Sequence, residues 1–395
     1  MITLNKKEDC CGCSACDQIC PVCAIRMVED EEGFLYPAVD KDICIKCNRC
    51  EMVCPNKISD SSIWRDDKVY AAYRNNREAR MKSASGGVFA AIAEEILRQQ
   101  GIVYGAAYQE DFSVAHVRIE TFEELNYLLG SKYVQSELGN TFQLIKSDIE
   151  TNRKVLFCGT PCQVAGLKHY LESDNENLIL IDFVCHGVPS PKVWKQYLNE
   201  IAHGRKISRL IPRDKTGGIR NCPIKIYFEN GTAFTQKYES NEYLRGFAAN
   251  LFLRPSCYQC KHKGIKHCSD LTLADFWGIE KEKPGFGDEY GISAIFIRSP
   301  KGKWIIQKVQ NELTMEESVL DQFVPYNPSA VVSVAEQPLR AQFFELAKTK
   351  GVCSSVSFLL GNEKTLRAQK KLKELKYVLS VCGKKVKLLM ERKIK

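Results

Sequence analysis

Residues 10–21 have the sequence CCGCSACDQICP, and residues 44–55 have the sequence CIKCNRCEMVCP. In both stretches four cysteines follow the spacing Cys-x2-Cys-x2-Cys-x3-Cys, and a proline comes directly after the last one. Thiolates at these intervals wrap a cubane of iron and sulfide, and the fourth cysteine of each run crosses to the other cluster. The repeat therefore predicts a small N-terminal domain that folds around two 4Fe-4S clusters.

The crossing rule divides the eight cysteines into two ligand sets. The first set is Cys10, Cys13, Cys16 and Cys54, and the second set is Cys44, Cys47, Cys50 and Cys20. This arrangement predicts a ferredoxin-like domain over residues 1–60. Two structural zinc sites are the alternative, although zinc requires neither the x3 step nor the proline. Cys11 and Cys23 lie outside the pattern and are expected to be spare thiols.

The length and composition bound the class of protein. The chain has 395 residues, 44% of them hydrophobic, which is enough for two or three domains. No apolar stretch reaches the length of a membrane span, and no signal peptide opens the chain. The nineteen cysteines are not spaced as a disulfide scaffold, and cluster thiolates need a reducing compartment. We therefore expect a cytoplasmic protein.

The positive charge is concentrated at the C-terminal end. The net charge is +8, whereas residues 361–395 contain twelve Lys or Arg and three Glu. This segment is thus +9 and the preceding residues are −1, so nucleic-acid binding by the body has no electrostatic support. We expect residues 346–395 to form a basic helical tail. It is either solvated and partly packed, or it lies on an anionic membrane or an acidic partner.

Residues 68–345 alternate between strand-like and helix-like patterns. The apolar runs KVLFCG (154–159) and LILIDFVC (178–185) predict strands buried on both faces, and each precedes a helical pattern. PIKIYFENGTAFTQKY (223–238) predicts an antiparallel hairpin with Asn-Gly at its turn. The fold class is therefore α/β or α+β, with the small ferredoxin-like domain fused to a larger mixed α/β domain.

Two polar loops of the larger domain are candidate cofactor contacts. SASGG (83–87) precedes a strongly apolar helical pattern, and hydroxyls and glycines at a helix N-terminus suit a phosphate group. GSKYVQS (130–136) supplies a cation, an aromatic face and hydroxyls. Neither motif is specific alone, because Ser-Gly before a helix often serves only as a cap.

Four further cysteines are candidate ligands of a third cluster. Cys162 follows the first buried strand and Cys185 follows the second, so in a parallel sheet both lie at its ligand-binding edge. Cys257 and Cys260 add a Cys-x2-Cys pair on a turn-rich segment. The alternative is two inert buried cysteines and a zinc knuckle. The candidate knuckle ligands are Cys257, Cys260, His262, His267 and Cys268.

Several motifs together carry a family resemblance. They are SASGGVF, GSKYVQS, FCGTPCQVAGLK, DFVCHGVPS, CYQC and SDLTLADFWGI, in this order after the ferredoxin-like module. With them the chain resembles, over about residues 1–300, the beta subunit family of coenzyme F420-reducing hydrogenases and dehydrogenases, which includes 7-hydroxymethyl chlorophyll a reductase. The resemblance implies a large domain that binds FAD and one 4Fe-4S cluster. It implies Cys162, Cys185, Cys257 and Cys260 as cluster ligands, although Cys268 could replace one of them.

The resemblance also implies FAD contacts and a function. The contacts are Ser83, Ser85, Gly86, Gly87, Gly130, Ser131, Lys132, Tyr133, Gln135 and Thr160. The function is that of an iron–sulfur flavoprotein oxidoreductase, in which electrons reach FAD through the clusters and then reduce a two-electron acceptor. The acceptor is expected to be coenzyme F420-like or another small organic molecule. His116 and His186 are candidate proton donors.

The expected partner is a redox donor such as ferredoxin or a hydrogenase or dehydrogenase subunit. Similar short, ferredoxin-fused chains encoded among polysaccharide-assembly genes suggest that setting. One alternative is an electron-transfer subunit of a larger complex with no substrate of its own. Another is a zinc-bearing interaction module.

Overall fold

The computed structural model describes residues 1–58, 68–264 and 267–361. Most of the predicted basic tail, residues 362–395, lies outside these ranges. The described strands are β1 Ile25–Glu29, β2 Leu35–Val39, β3 Lys68–Arg74, β4 Ile102–Tyr108, β5 Val114–Ile119, β6 Val155–Gly159, β7 Leu178–Phe183, β8 Ile207–Ile211, β9 Pro223–Phe228, β10 Ala233–Lys237, β11 Leu271–Asp275, β12 Ser293–Ile297 and β13 Leu313–Val319.

The described α-helices are mostly short. They are α1 Ala15–Gln18, α2 Arg49–Met52, α3 Arg77–Lys82, α4 Val88–Arg98, α5 Leu125–Leu128, α6 Thr141–Glu150, α7 Pro161–Leu171, α8 Pro191–Ala202, α9 Glu242–Ala248, α10 Ile279–Glu282, α11 Pro300–Val309, α12 Leu320–Phe323, α13 Arg340–Lys350 and α14 Val352–Leu360. None of them combines the length and the apolar character that a membrane span requires.

An eight-stranded mixed sheet forms the centre of the larger domain. Its strand order is β13-β3-β12-β11-β7-β6-β4-β5. The strands β4, β6, β7 and β11 are parallel neighbours, and the remaining pairings are antiparallel. The two apolar runs form β6 and β7, which pair in parallel from Val155 opposite Leu178. The predicted mixed α/β fold with a parallel core is thus confirmed.

Apolar side chains cover both faces of this sheet, so it forms the middle layer of the domain. One core contains side chains of α4, including Ile92 and Ile96, together with those of α11. The opposite core contains Phe142 of α6 and Leu167 of α7. Cysteines of the N-terminal module pack in that second core, so α6 and α7 lie between the module and the sheet.

The N-terminal module is a small hairpin with two one-turn helices. The hairpin pairs β1 with β2, from Ile25 opposite Val39 to Glu29 opposite Leu35. The module is attached to the larger domain by polar contacts as well as by the core. The Gln18 side-chain oxygen accepts a hydrogen bond from the Phe142 amide at 2.7 Å. Arg340 of α13 binds the carboxylate of Glu32 through both terminal nitrogens.

A second sheet carries the predicted Asn-Gly hairpin. It has the order β10-β9-β8, and β8 is a strand that the sequence analysis did not predict. A third core joins this sheet to α8 and α9, and it also contains Phe343 and Val356 of α13 and α14. Residues 346–361, assigned above to the tail, are therefore helical and packed on the body.

Candidate functional site

The two cysteine runs have equivalent backbone turns. Gly12 and Lys46 occupy the same position in each run and have φ values of 72° and 56°. Ser14 and Asn48 occupy the next equivalent position, with φ values of 56° and 61°. Left-handed residues at the same two steps make the backbone of both loops turn in the same way. The duplication in sequence is therefore a duplication in conformation.

The first predicted ligand set lies together beside the larger domain. Burial, and then the neighbouring Cys10 and Cys54 thiols, raise the pKa of Cys16 far above its usual range. Burial and the thiols of Cys16 and Cys10 also raise the pKa of Cys13. Each of the four thiols thus lies within electrostatic range of at least one other member of the set, as the ligands of one cluster must.

The second predicted ligand set lines one small cavity on the outer side of the module. Its four cysteines are Cys20, Cys44, Cys47 and Cys50. Two of these sulfurs already accept backbone hydrogen bonds, Cys50 from the Ile2 amide at 3.1 Å and Cys20 from the Ala24 amide at 3.2 Å. Amide donors of this kind stabilise thiolates and tune iron–sulfur centres.

The four candidate ligands of the third cluster surround a common cavity, here called the thiol cavity. Cys162 lies in the first turn of α7, Cys185 follows β7, and Cys257 and Cys260 come from a short 3-10 helix and its end. β6 and β7 are parallel and bring the first two cysteines to the same edge of the sheet. Four thiols around one cavity fit a cubane cluster, which takes one thiolate on each iron.

Two extra cysteines differ in their relation to this site. Cys11, expected to be a spare thiol, instead lines the thiol cavity and is buried. Its thiol interacts with the thiol of Cys13, in the first ligand set, and with that of Cys162, in the third. Cys268, considered as a replacement ligand, packs in the core between the module and the sheet and does not line the cavity. Cys23 is exposed.

The histidines near this cavity do not form the zinc knuckle considered above. Nδ1 of His267 lies 2.6 Å from a carboxylate oxygen of Asp182, and its Nε2 lies 2.9 Å from the Gly264 carbonyl. Both ring nitrogens of His267 are thereby occupied. His262 contacts the Asn56 side chain at 3.0 Å. Within the described ranges, no three His, Cys, Asp or Glu side chains converge closely enough to hold a single metal ion.

The thiols of the cavity are protonated in the metal-free chain. Burial, and then the neighbouring Cys257 thiol, raise the pKa of Cys185 well above its usual range. Burial raises the pKa of Cys257 to about 12. Metal binding must therefore displace protons from these sulfurs, and assembly of a cluster here is expected to be favoured at higher pH.

A cavity of about 420 Å³, here called the large cavity, collects most of the predicted FAD contacts. Its lining includes Ser83, Ser85, Gly87, Gly130, Ser131, Lys132, Tyr133, Thr160, His116 and His186. Residues 184–188 line this cavity and the thiol cavity alike. The two cavities therefore share a wall that contains Cys185.

Two of the predicted FAD contacts lie elsewhere. Gly86 is packed against the sheet: a Cβ on it would lie 2.4 Å from the Ala72 carbonyl oxygen. Position 86 requires a glycine because two backbone segments approach each other closely there, and not because the residue lines the cavity. Gln135 is directed toward the N-terminal module, where its amide nitrogen donates to the Cys11 carbonyl at 3.3 Å. The sequence pattern placed both residues near the cavity but could not give their directions.

The serine hydroxyls of the loop at residues 83–87 donate to backbone carbonyls of the protein and do not point to a ligand in the cavity. The Ser83 hydroxyl donates to the Ala79 carbonyl at 2.9 Å, and the Ser85 hydroxyl donates to the Ile292 carbonyl at 3.1 Å. The N-terminus of α4, with Gly87 at φ 88°, is left to contribute backbone amides to the cavity. Thr160 and Gln163 form a reciprocal cap at the start of α7.

Lys132 is a cation without a counter-ion in the large cavity. Its Nζ donates to the carbonyls of Tyr127 and Leu129, both at 2.9 Å. Among the described side chains no carboxylate lies within ion-pair distance of it. Burial lowers its pKa to about 7. A bound ligand with negative charge would stabilise the ammonium form.

Two buried acceptor atoms also line this cavity without a partner in the described chain. They are Nδ1 of His116 and one carboxylate oxygen of Asp182. Nε2 of His116 lies 3.1 Å from the Cys158 carbonyl and must carry the proton, since a carbonyl only accepts. Nδ1 is then a bare acceptor. FAD fits these groups, because its flavin ring and adenine carry N–H donors and its pyrophosphate is anionic.

The two candidate proton donors are not equivalent. Burial lowers the pKa of His116 to about 4, so its imidazole is neutral at physiological pH and its only proton is bonded to Cys158. His186 lies at the wall shared by the cavities, and burial also lowers its pKa. Its Nε2 donates to the Asn250 side chain at 2.7 Å, and Nδ1 contacts the Ser329 hydroxyl at 3.4 Å. The His186 site therefore offers a chain of exchangeable protons, and the His116 site does not.

A third cavity, not anticipated from the sequence, adjoins the large cavity. It has a volume of about 530 Å³, although fewer residues line it than line the large cavity, and it shares Tyr133, His186 and Arg213 with that neighbour. Further aromatic side chains in its wall are Tyr238, Phe247, Trp277 and Tyr326. Arg213 is held against Asp275 at 2.8 Å and lies over the ring of Trp277 at 5.5 Å. We call this space the aromatic cavity.

Two family models match the chain. Residues 152–322 match the C terminus of the beta subunit of coenzyme F420 hydrogenase/dehydrogenase, and residues 37–58 match the 4Fe-4S binding domain. The first range contains all four cysteines predicted for the third cluster, and the second contains the second cysteine run. The family resemblance and the 4Fe-4S assignment of that run are thus confirmed.

No curated protein matches the chain. Among solved structures, a chain of the xenon-derivatized F420-reducing NiFe hydrogenase complex from Methanosarcina barkeri is similar. It is 18% identical, with a TM-score of 0.42, and the alignment covers 80% of this chain and 96% of that chain.

Proposed function

Because the chain carries a C-terminal domain of the coenzyme F420 hydrogenase/dehydrogenase beta subunit family behind a 4Fe-4S binding domain, we propose that it is an iron–sulfur flavoprotein oxidoreductase. When bound, the clusters would supply one-electron transfer, and FAD would convert single electrons into a two-electron reduction. Cys10, Cys13, Cys16 and Cys54 would hold the inner N-terminal cluster. Cys20, Cys44, Cys47 and Cys50 would hold the outer one.

The shared wall of the thiol cavity and the large cavity is the observation that carries the proposal. Cys185 and His186 face both spaces, so a cluster held by Cys162, Cys185, Cys257 and Cys260 would adjoin a ligand of the large cavity directly. Cys11 connects the same site to the first ligand set. The three groups of cysteines would therefore form a series that ends at the large cavity.

The chain's own groups in the large cavity support FAD as its occupant. The N-terminus of α4 and the uncompensated Lys132 would bind the pyrophosphate or another anionic group of the cofactor. Nδ1 of His116 and the free oxygen of Asp182 would accept hydrogen bonds from N–H groups of the ligand. These contacts would position the cofactor while the surrounding apolar side chains exclude water.

The aromatic cavity is the proposed place of the two-electron acceptor. Its rings suit a flat conjugated molecule, and its wall includes two arginines, Arg213 paired with Asp275 and Arg220 paired with Glu280. His186 lies between this cavity and the large one and would relay a proton through Ser329. Coenzyme F420 or a similar small organic molecule meets these requirements. A role in polysaccharide assembly stays a prediction from the sequence.

The test is acceptor-dependent oxidation of reduced methyl viologen by anaerobically reconstituted full-length chain, with a panel of acceptors that includes coenzyme F420. We expect turnover with at least one acceptor. Cys185→Ser should bind FAD but lose its reduction by viologen, whereas the matched variant Cys23→Ser, altered at an exposed thiol, should behave as wild type. A chain that holds iron but binds no flavin and uses no acceptor would instead be an electron-transfer subunit.

A further inference from the structure

Arg254 is a completely buried cation at the junction between the N-terminal module and the larger domain. Its exposed fraction is 0%. Nε donates to the Cys10 carbonyl at 2.8 Å, and Nη2 donates to the Leu35 carbonyl at 2.8 Å. Nη1 donates to the Gln135 side chain at 3.1 Å. One residue of the larger domain thus binds the module's first cysteine loop and its hairpin together.

The guanidinium also contacts a thiol of the first ligand set. Nη2 lies 3.4 Å from Sγ of Cys10, and the guanidinium lies over the ring of Tyr36 at 4.3 Å. In the described part of the chain, no carboxylate lies within ion-pair distance of Arg254. An isolated charge is costly to bury unless negative charge lies beside it. The thiolate of Cys10 is the contacting group that can supply that charge, and the thiols of Cys11 and Cys257 lie within electrostatic range.

The backbone of the first cysteine loop is shaped to admit this side chain. Gly12 has a φ of 72°, and a Cβ at this position would lie 2.7 Å from Nη1 of Arg254. The equivalent position of the second run is Lys46, which has a side chain. The second ligand set instead accepts hydrogen bonds from the neutral amides of Ile2 and Ala24. Among the described residues, the buried arginine thus distinguishes the first ligand set from the second.

We propose that Arg254 sets the reduction potential of the cluster held by Cys10, Cys13, Cys16 and Cys54. The inference rests on the proposed function, since it requires that these cysteines bind a cluster. One-electron reduction adds a negative charge to that cluster, and a fixed cation with an N–H donor on one thiolate stabilises the reduced form. Arg254 thereby raises this cluster's potential above the outer one. An electron accepted at the exposed outer set then moves inward, toward Cys162.

The test is a redox titration of the anaerobically reconstituted full chain with dithionite, followed by electron paramagnetic resonance. Arg254→Gln should favour the oxidised form of one N-terminal cluster by at least tenfold, which is a fall of about 59 mV for a one-electron couple. The potential of the outer cluster should stay unchanged, and the potential of the cluster held partly by Cys257 should fall by less. Arg254→Lys, which keeps the charge, should restore most of the difference.

Arg340→Gln is the matched control, because Arg340 also joins the module to the larger domain but binds Glu32 and the Leu253 carbonyl instead of a thiol. Its potentials should equal those of the wild type. If Arg254→Gln fails to hold iron, the variant Gln135→Glu tests the proposal instead. It places a carboxylate about 3.1 Å from Nη1 of Arg254, which would neutralise the cation and lower the potential of the same cluster. Unchanged potentials in folded variants, or an equal shift of all clusters, would overturn the proposal. Absence of cluster signals in the wild type would instead refute the proposed function.

Discussion

Lys132 should make flavin binding depend on pH in a way that isolates this one side chain. Burial lowers its pKa to about 7 in the ligand-free chain, and no carboxylate in the described structure compensates it. If the cofactor is bound by the ammonium form, only the protonated fraction of the chain is competent. That fraction is about half at pH 7 and about 1% at pH 9, so the apparent Kd should rise ~50-fold over this interval.

Of the titrating groups near this cavity, His116 and Cys158 lie outside this pH interval and Lys215 lies within it. Burial lowers the pKa of Lys215 to about 8, and its Nζ donates to the Ser85 carbonyl at 2.7 Å, so the variant Lys132→Met, which keeps Lys215, shows whether Lys215 contributes. Burial lowers the pKa of His116 to about 4, so this imidazole titrates below the interval. Burial raises the pKa of the Cys158 thiol to about 12, so it titrates above the interval. The sign follows from the direction of the shift: binding favours the protonated amine, so affinity increases as pH falls toward 7 and levels off below it.

The assay is quenching of FAD fluorescence by the cofactor-free chain at fixed ionic strength, from pH 6 to pH 9. Lys132→Arg is the matched control, because arginine remains charged throughout and should give tight binding with a flat profile. Lys132→Met should give weak binding with a flat profile. A wild-type Kd that does not change with pH, or that changes equally in Lys132→Met, would refute the role assigned to this lysine.

Three further outcomes are expected. Cys162→Ser should lower the iron content by about four atoms per chain, as one cubane requires, and leave the N-terminal pair reducible; full retention of iron would contradict the assignment. Gly86→Val should lower the free energy of unfolding by about 1–3 kcal/mol in chemical denaturation, because its Cβ meets the Ala72 carbonyl oxygen. Gly217→Ala is the control, because Gly217 has open space around it. Equal stability of the two variants would show that β3, which contains Ala72, can move enough to accommodate the valine. Deleting residues 362–395 should leave iron and flavin in place, because the cysteine sets and the large cavity are built from residues that precede this segment; loss of the absorbance of either cofactor would show that this segment supports a site.

The sequence predicted the framework of this fold because its signals are local. The apolar runs over residues 154–159 and 178–185 formed β6 and β7, and each was followed by its helix. The Asn-Gly turn formed the β9–β10 hairpin. By contrast β8, a half-exposed strand of sequence ISRLI, has neither a long apolar run nor a clear alternation and was missed. Its pairing with β9 depends on a contact between distant segments.

The residues of the candidate sites also divide into those with a local sequence signal and those placed by contacts between distant segments. Regular cysteine spacing predicts the ligands of the two N-terminal sets, and the structure places the thiols of each set near one another. Cys11 gave no signal, because its role depends on α7 approaching the module, which a glycine at position 166 permits: a Cβ there would lie 3.0 Å from Cys13 Sγ. Arg254 gave none either, since no pattern marks a single arginine that is buried only after two domains meet. The direction of Gln135 was likewise set by that junction.

The central claim is that cysteine-bound iron connects the N-terminal module to a flavin in the larger domain. The most direct measurement is the iron and flavin content of the anaerobically purified full-length chain, together with its visible spectrum. We predict about twelve irons and one FAD per chain, as three cubanes and one cofactor require. About eight irons without flavin, or a colourless chain that contains zinc, would contradict the account.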